Sequence, residues 1–194
     1  MGLVTTQQPS GPSGNVARFL RSSPFPLTYG RCREQDDLFS YAEATIRRAG
    51  LRFSKRLAEM MVTNLERMND DLWNQTRHVL ETVRIERTQL TEKEAAEFIG
   101  REYKGFGPKQ SRNLLQWLGL TRFEIPLDSR LIKWLNEFGF PVELSAKGLA
   151  DRHYYNFVSE GVQALCEKSG VFPCILDAAV FSSFDRELDT CSID

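Results

Sequence analysis

Apolar side chains recur at intervals of three and four residues along most of this chain, and that spacing constrains its fold more than any other feature. Segments 36–49, 53–68 and 70–83 each place their apolar residues on one face of a helix. The alternation of apolar and polar residues that marks a half-buried strand is not found in the sequence. We therefore predict an all-α fold.

The length of 194 residues suits one compact domain with a substantial hydrophobic core. Residues 1–15 are rich in Gly, Pro, Ser and Gln, and we expect them to form a disordered tail. The domain is then expected to span residues 16–194, with its last two helices at 153–168 and 173–188.

Composition excludes several classes of protein. No apolar run is long enough to cross a bilayer, and the first residues lack the pattern of a secretory signal, so we expect no membrane association and a cytoplasmic location. The four cysteines have neither a CxxC pair nor a nearby histidine: Cys32, Cys166, Cys174 and Cys191. The sequence therefore predicts reduced thiols and no metal ligands.

The net charge of −1 argues against a nucleic-acid binder, because domains that contact phosphates are usually basic. The charges are unevenly distributed, however. Residues 45–58 contain five basic residues and no acidic one, and residues 101–134 contain seven basic and three acidic residues. A solvated helix face explains such a run equally well, so the asymmetry only permits DNA binding.

Two short helices joined by a tight glycine turn are predicted at about residues 91–119. Thr91 and Glu94 match the capping box that begins a first helix, and Gly105 ends it. Pro108 suits the first position of the second helix, which closes on another glycine. This arrangement is a helix-hairpin-helix unit.

The turn KGFGPK has the features of an anion site. Gly105 and Gly107 flank Phe106 and leave backbone N–H groups unpaired at a helix start, where anions bind readily. A DNA phosphate is the natural candidate, and Lys104 and Arg112 are expected to add electrostatic attraction while Phe106 packs into the protein. The alternative is a plain glycine-linked helix pair.

A lysine follows this turn, and an aspartate precedes another helix nineteen residues later. The helix from Pro108 to Leu118 is roughly 16 Å long, and loop 120–127 can span up to about 28 Å, so Asp128 can return beside Lys109. Desolvation at the positive end of a helix lowers the pKa of a lysine, and the neutral amine is a nucleophile. The alternatives are a solvated surface lysine and a simple N-cap.

The stretch GFGPKQSRNLLQWLGLTRFEIPLD, with its hairpin, lysine and aspartate, resembles the DNA glycosylases of the helix-hairpin-helix superfamily. The resemblance covers about residues 34–188. It implies that Lys109 attacks C1′ of an extruded nucleotide, displaces the base and forms an imine, from which β-elimination cleaves the strand. It also implies that Asp128 stabilises the positive charge that develops on the sugar.

Within the superfamily, the chain is most similar to the 8-oxoguanine DNA glycosylases. The segment GVFPCILDAAVFSSFDREL resembles the helix lining their base pocket, which implies that Asp177 contacts the base edge and Phe181 stacks on the base. A carboxylate can accept from N1–H and the amine of a guanine-type base, although several relatives have an amide at this position. The alternatives are an ion pair between Asp177 and an arginine, and a place for Phe181 in the core.

The same resemblance extends to four further polar residues. Asn113, one turn beyond Lys109, is expected to contact the base. Asn64 is expected in the helix that fills the gap left by the extruded base, or else as an exposed polar residue. Arg130 and Lys133 suit phosphate contacts near the aspartate, or else are only solvated.

The resemblance implies a compact, two-lobed helical domain with DNA in the cleft between the lobes. The expected partner is double-stranded DNA with a damaged base, bound by a monomer associated with the nucleoid, or with the nucleus in a eukaryote. No four-cysteine cluster suggests an iron–sulfur centre, and we expect no cofactor. The alternatives are a glycosylase of the same fold for another damaged or modified base and a non-catalytic DNA-binding module.

Overall fold

The chain is helical throughout the part that the computed structural model describes, which comprises residues 2–5, 8, 13–68 and 70–190, with side chains up to residue 184. No strand occurs among these residues. Their α-helices, in chain order, are α1 (Asn15–Leu20), α2 (Tyr29–Arg33), α3 (Leu38–Arg48), α4 (Ser54–Arg67), α5 (Asp70–Glu86), α6 (Gln89–Glu102), α7 (Pro108–Trp117), α8 (Ser129–Phe138), α9 (Arg152–Lys168) and α10 (Pro173–Thr190). None of the described helices is both long and apolar enough to cross a membrane.

The predicted all-α class is confirmed, and the long helices lie where the apolar periods placed them. Helices α3, α4, α5, α7, α9 and α10 cover the predicted segments, and α8 follows Asp128. Helices α1 and α2 are not predicted by the sequence, because six and five residues hold too few apolar positions to show a period.

Helix α6 begins earlier than the predicted capping box of Thr91 and Glu94. The backbone N–H of Thr91 donates to Oγ1 of Thr88 (3.2 Å), and the backbone N–H of Thr88 donates to Oγ1 of Thr91 (3.3 Å). This reciprocal pair closes the first turn as a capping box does, with a threonine in place of the usual glutamate. The predicted register was wrong by three residues, since Thr91 lies inside the helix that starts at Gln89.

The contacts within the chain divide it into two compact units, of which unit 1 comprises Met1–Gln75 and Glu102–Phe106. Its core is made by α3, α4, the segments beside them and a 3₁₀ turn at Gly2–Thr5. The buried members of this core are Leu3, Val4, Phe19, Ile46, Leu51 and Leu57.

Part of the predicted disordered tail is therefore packed. Leu3 and Val4 keep only 8% and 4% of their surface exposed, so two apolar residues suffice to anchor a segment whose composition resembles a tail. Gln8 also binds the turn before α4, since its amide pairs with both the N–H and the C=O of Arg52. Positions 1, 6, 7 and 9–12 lie outside the described residues.

Unit 2 comprises Thr76–Arg101 and Gly107–Asp194. Its core is formed by α8, α9 and α10 with the loops that precede and follow α8. The buried residues of this core are Ile125, Leu127, Leu131, Ile132, Leu135, Leu144, Leu149, Tyr155, Val158, Val162, Cys166 and Val180. Cys32, Cys166 and Cys174 are free thiols, and Cys191 lies outside the described residues.

A buried ion pair in unit 2 connects α7 to the loop that leads to α8. Nε of Arg112 donates to a carboxylate oxygen of Glu124, and both side chains are 2% exposed. The same guanidinium donates to the carbonyl of Pro108 (2.9 Å) and to Oδ1 of Asn156 (3.0 Å), and it lies over the ring of Tyr155. Arg112 therefore holds the start of α7, the loop and α9 together.

The backbone of the same loop is held by two further buried side chains. Glu92 of α6 accepts the N–H groups of Arg122, Phe123 and Glu124, each at 2.8 Å. Burial raises the pKa of Glu92, and these three hydrogen bonds act in the opposite direction. An irregular segment cannot pair its own backbone, so such partners are needed where it is buried.

Tyr155 of α9 holds the end of the loop. Its hydroxyl accepts from the N–H of Leu127 (2.8 Å) and donates to the carbonyl of Ile125 (2.9 Å). Burial raises the pKa of Tyr155 well above its usual range, so the hydroxyl stays protonated and can make both bonds. The residue after this clamped segment is Asp128.

We predict that Arg112→Met destabilises the protein by about 3–5 kcal/mol, because it leaves Glu124 charged and buried without its partner. The double variant Arg112→Met/Glu124→Leu should recover part of this loss, since no charge is then left unpaired. Chemical denaturation of the two variants and the wild type measures both effects.

The matched control is Arg84→Met, which breaks the exposed pair with Glu81 (2.6 Å). Solvent screens exposed ion pairs, so its midpoint should change little. An Arg112→Met midpoint as close to wild type as that of Arg84→Met would show that the buried pair does not hold the loop.

Candidate active site

Lys109 lies at the second position of α7, directly after Pro108, and its side chain is exposed. Gly107 caps the helix in an extended conformation, and the predicted placement of a proline at the first helical position is confirmed. The N–H groups of this first turn point along the helix axis toward the position in front of Gly107. The protein alone does not desolvate the amine, so a bound molecule would have to do so.

Asp128 is the N-cap of α8. Its Oδ1 accepts from the N–H groups of Arg130 and Leu131, both at 2.9 Å. The predicted capping role is therefore confirmed, and it fixes the position of the carboxylate at the start of α8. Because Tyr155 holds the preceding residues, the position of this carboxylate is set by the core of unit 2.

The carboxyl group of Asp177 on α10 is half-buried and is influenced by the charges of several predicted site residues. Burial raises its pKa, and a hydrogen bond from Gln116 acts in the opposite direction. The negative charge of Asp128 raises the same pKa further, while the positive charges of Lys109 and Arg130 lower it. Residues far apart in sequence thus act electrostatically on one half-buried carboxyl group.

The hydrogen-bond partner of Asp177 is an amide. The alternative, in which an arginine pairs with this carboxylate, does not describe its main contact. Nε2 of Gln116 donates to Oδ2 of Asp177 at 2.7 Å. Phe181, one turn further along α10, is 44% exposed and so is not a core residue. The guanidinium of Arg130 lies 4.1 Å from the centre of its ring, a geometry typical of a cation–π contact.

Arg130 and Lys133 lie along one side of α8 toward α10. Arg130 covers Phe181, and Nζ of Lys133 lies 5.1 Å from the centre of the Phe184 ring. Lys133 is also 3.7 Å from the Glu137 carboxylate in an exposed pair. These two cations therefore have aromatic neighbours in addition to any phosphate that they contact.

The polar face of α7 carries one more predicted residue and one that the sequence analysis missed. Asn113 donates from Nδ2 to Oε1 of Gln110 (2.8 Å) and is half-buried. Gln116 lies seven residues after Lys109, which places both on the same face of the helix. This spacing from Lys109 is the signal that could have identified Gln116.

The turn between α6 and α7 contains two glycines with different roles. Gly105 has a φ of +88°, and a Cβ there would lie 2.6 Å from Leu3 and 2.7 Å from Met60, so only glycine fits. Gly107 has ordinary extended backbone and open space where a Cβ would point. Phe106 packs into the core of unit 1, as predicted.

Asn64 has a structural role in this turn. It is 7% exposed, its Nδ2 donates to the carbonyl of Lys104 (2.9 Å), and its Oδ1 accepts the Lys104 N–H (2.7 Å). A contact between this side chain and DNA would require both bonds to break, and the alternative of an exposed residue is wrong. The Lys104 side chain itself is exposed.

Arg112 does not add to the charge around the turn as predicted. Its guanidinium is buried among protein partners in the pair with Glu124, so it cannot reach a phosphate in front of α7. The prediction failed because the partner carboxylate lies in a loop that has no periodic pattern. Nothing in the sequence distinguishes this arginine from its exposed neighbours.

Phe53 of unit 1 is an exposed aromatic residue that no sequence pattern singles out. It caps α4 in the left-handed conformation (φ 60°, ψ 34°), is 47% exposed, and has the Arg56 guanidinium 4.6 Å from its ring centre. It lies inside the predicted basic run, whose exposed members are Arg47, Arg48, Arg52 and Lys55. An aromatic residue within an all-basic segment is the signal that could have identified it.

We predict that Asp177→Asn is at least as stable as the wild type at pH 7. The folded protein raises the pKa of Asp177, which means that the protonated carboxyl group stabilises the folded state. This contribution to the free energy of unfolding is fully present below the unfolded pKa of about 3.9 and is lost as pH rises through the folded pKa. Asparagine keeps the oxygen that accepts from Gln116 and carries no charge. Thermal unfolding from pH 3 to pH 8 should show an advantage of the variant that disappears in acid.

Asp37→Asn is the matched control, because hydrogen bonds with Ser40 lower the pKa of this exposed cap residue. The ionised form of Asp37 therefore stabilises the folded state. This contribution to the free energy of unfolding is present above the unfolded pKa and is lost as pH falls. Asp37→Asn should therefore gain nothing at pH 7. A clear loss of stability at pH 7 in Asp177→Asn would contradict the burial argument.

Comparison of the chain with protein-family models, with curated proteins and with solved structures found no match. The case for its function therefore depends on the motif residues and on their contacts within unit 2. Of the predicted catalytic and base-contacting residues, Lys109 and Asp128 act electrostatically on Asp177, Phe181 lies one turn further along α10 under Arg130, and Asn113 shares the α7 face with Lys109.

Proposed function

We propose that this protein is a DNA glycosylase with abasic-site lyase activity, which removes oxidised guanine through a covalent intermediate on Lys109. One observation carries the proposal: helix α7, which carries Lys109, is joined to Asp177 of α10 by a hydrogen bond of 2.7 Å from Gln116. The charges of Lys109 and Asp128 also act on that carboxyl group, which supports a shared site of the kind that the motif implies.

Lys109 acts as the nucleophile. The neutral Nζ forms a bond to C1′, and the bond from C1′ to the base breaks with its electron pair leaving on the base, which takes up a proton. Opening of the sugar ring then gives an imine between Nζ and C1′. Loss of a proton from C2′ and of the 3′ phosphate cleaves the strand. Bound DNA excludes water from the exposed amine and so favours its neutral form.

Asp128 stabilises the transition state electrostatically. Positive charge develops on the sugar as the bond to the base breaks, and a carboxylate held in place needs no reorganisation to meet it. The two backbone N–H bonds and the clamped loop before the residue support this role.

Asp177 and Phe181 bind the extruded base. Their spacing of four residues places them on one face of α10, where the carboxylate can meet a base edge and the ring can meet a base face. Arg130 covers one face of the ring in the free protein, so the base stacks on the other face or displaces the guanidinium.

Backbone phosphates bind at the start of α7 and along the basic segment of unit 1. The open side of Gly107 lets a phosphate approach the N–H groups of the first turn of α7, beside Lys104. Phe53 of unit 1 provides an aromatic surface on which a base can stack, with basic residues around it that can contact phosphates.

Borohydride trapping tests the catalytic proposal. We expect the wild type to form a covalent adduct with duplexes that contain 8-oxoguanine or an abasic site, and Lys109→Gln to form none. Asp128→Asn should keep its thermal stability, since asparagine caps helices as well as aspartate does. It should lose about 10²–10³-fold in the rate of base excision, because the charge is gone.

Lys147→Gln is the control, because Lys147 is also an exposed lysine of unit 2. It should form the adduct as the wild type does. An adduct in Lys109→Gln would rule out this lysine as the nucleophile. Binding of all duplexes without an adduct on any of them would favour the non-catalytic DNA-binding module.

We predict that Phe53→Gly weakens binding of lesion-containing duplex by about tenfold, because one aromatic–base stack contributes roughly 1–3 kcal/mol. The variant should fold with no loss of stability, since glycine adopts the left-handed conformation without the strain of about 1 kcal/mol that a side chain adds. Fluorescence anisotropy and thermal unfolding measure the two effects.

Phe138→Ala is the control, because it removes another exposed aromatic residue (58%), and it should bind DNA as the wild type does. Equal affinities for the wild type, Phe53→Gly and Phe138→Ala would exclude a role for Phe53.

A further inference from the structure

We propose that Gln116 determines base specificity, by forming with Asp177 a three-point reader for the Watson–Crick edge of a guanine-type base. The inference rests on the proposed function and adds a residue that the motif does not include. It depends on one contact, the hydrogen bond of 2.7 Å from Nε2 of Gln116 to Oδ2 of Asp177.

The order of donors and acceptors along this contact is set by its chemistry. An ionised carboxylate only accepts, so the nitrogen of the Gln116 amide must face Oδ2. The atoms Oδ1, Oδ2 and Nε2 then follow one another as acceptor, acceptor and donor, because Nε2 has a second N–H that is not used by Asp177. Asp177 alone would offer only the two acceptors.

A guanine-type base presents the complementary order. Its exocyclic amine and N1–H donate, and its O6 accepts, so the three groups can match Oδ1, Oδ2 and Nε2 in sequence. Adenine presents an amine beside an unprotonated N1, which would face a carboxylate oxygen and be repelled. Without the Gln116 N–H, O6 would be buried without a donor, which is costly.

The location of Gln116 fits this role. It lies on the same face of α7 as Lys109, two helical turns away, while Asp177 is held on α10. The charges that face the carboxyl group are those of Lys109, Asp128 and Arg130. The Gln116 bond lowers the pKa of Asp177 against burial, and so helps to keep it ionised and able to accept.

The test compares Gln116→Met with the wild type on three duplexes, which contain 8-oxoguanine, 8-oxoadenine or an abasic site. Methionine has a similar length and shape and makes no hydrogen bond to Asp177. We expect single-turnover excision of 8-oxoguanine to fall by about tenfold, as for the loss of one hydrogen bond at a charged group. Borohydride trapping on the abasic site should stay within about twofold of wild type, because that substrate has no base to read.

A pH profile separates base reading from simple packing. In Gln116→Met the pKa of Asp177 is no longer lowered by the amide, so the acid limb of 8-oxoguanine excision should move to higher pH. The ratio of 8-oxoguanine to 8-oxoadenine excision should also fall. Gln75→Met is the matched control, since it removes an exposed hydrogen bond between Gln75 and Asp71 of the same type (2.9 Å) and should change none of these values.

Three results would overturn the inference. Unchanged 8-oxoguanine excision would show that Gln116 does not read the base, and an equal fall on the abasic site would show that it positions Lys109 instead. A wild type that traps on neither substrate would remove the proposed function and this inference together. If Gln116→Met unfolds at the assay temperature, Gln116→Leu provides the same comparison.

Discussion

The buried ion pair between Arg112 and Glu124 is the interaction on which the arrangement of unit 2 depends. Both side chains are 2% exposed, and charges buried to this extent must be paired. The other N–H groups of Arg112 donate to the carbonyl of Pro108 and to Oδ1 of Asn156. One side chain therefore connects the start of α7, the following loop and α9.

The loop before α8 has no regular secondary structure, yet side chains from other elements bind much of its backbone. Glu92 accepts three consecutive backbone N–H groups, Tyr155 binds the N–H of Leu127 and the carbonyl of Ile125, and Gln163 donates to the carbonyl of Phe123 (3.0 Å). Each of these partners comes from α6 or α9. Because these side chains hold the loop along its length, the residue at its end, Asp128, has a defined position.

Helix α7 carries buried and accessible polar residues within one turn of each other. Arg112 is 2% exposed and binds the loop, whereas Lys109 is exposed and Asn113 and Gln116 are half-buried. An exposed lysine thus lies three residues from a buried arginine. This difference in burial explains why a cluster of basic residues in the sequence overstates the positive charge that is available to a phosphate.

The candidate site combines contacts that stabilise the fold with groups that remain for chemistry. Asp128 caps a helix and still carries a full charge, and Asp177 is bound by one amide and still has a second oxygen. Arg130 connects Asp128 to α10, since its backbone N–H donates to Oδ1 of Asp128 while its guanidinium lies over the ring of Phe181. The same residues therefore stabilise α8 and α10 and lie at the proposed pocket. A substitution such as Asp128→Asn, which keeps the helix cap and removes the charge, separates the structural role from the chemical one.

The sequence by itself determined the longer helices, the glycine turn and the capping residue Asp128, because apolar periods, caps and turns are local and depend on neighbours within a few positions. Tertiary structure alone decided that Arg112 is buried, that Asn64 holds the turn, that Leu3 and Val4 are packed, and that Gln116 meets Asp177. In each of these cases the partner lies between 12 and 61 residues away or in a core assembled from several segments. A polar side chain does not reveal in sequence whether its partner will be water or another residue, since only packing removes the water.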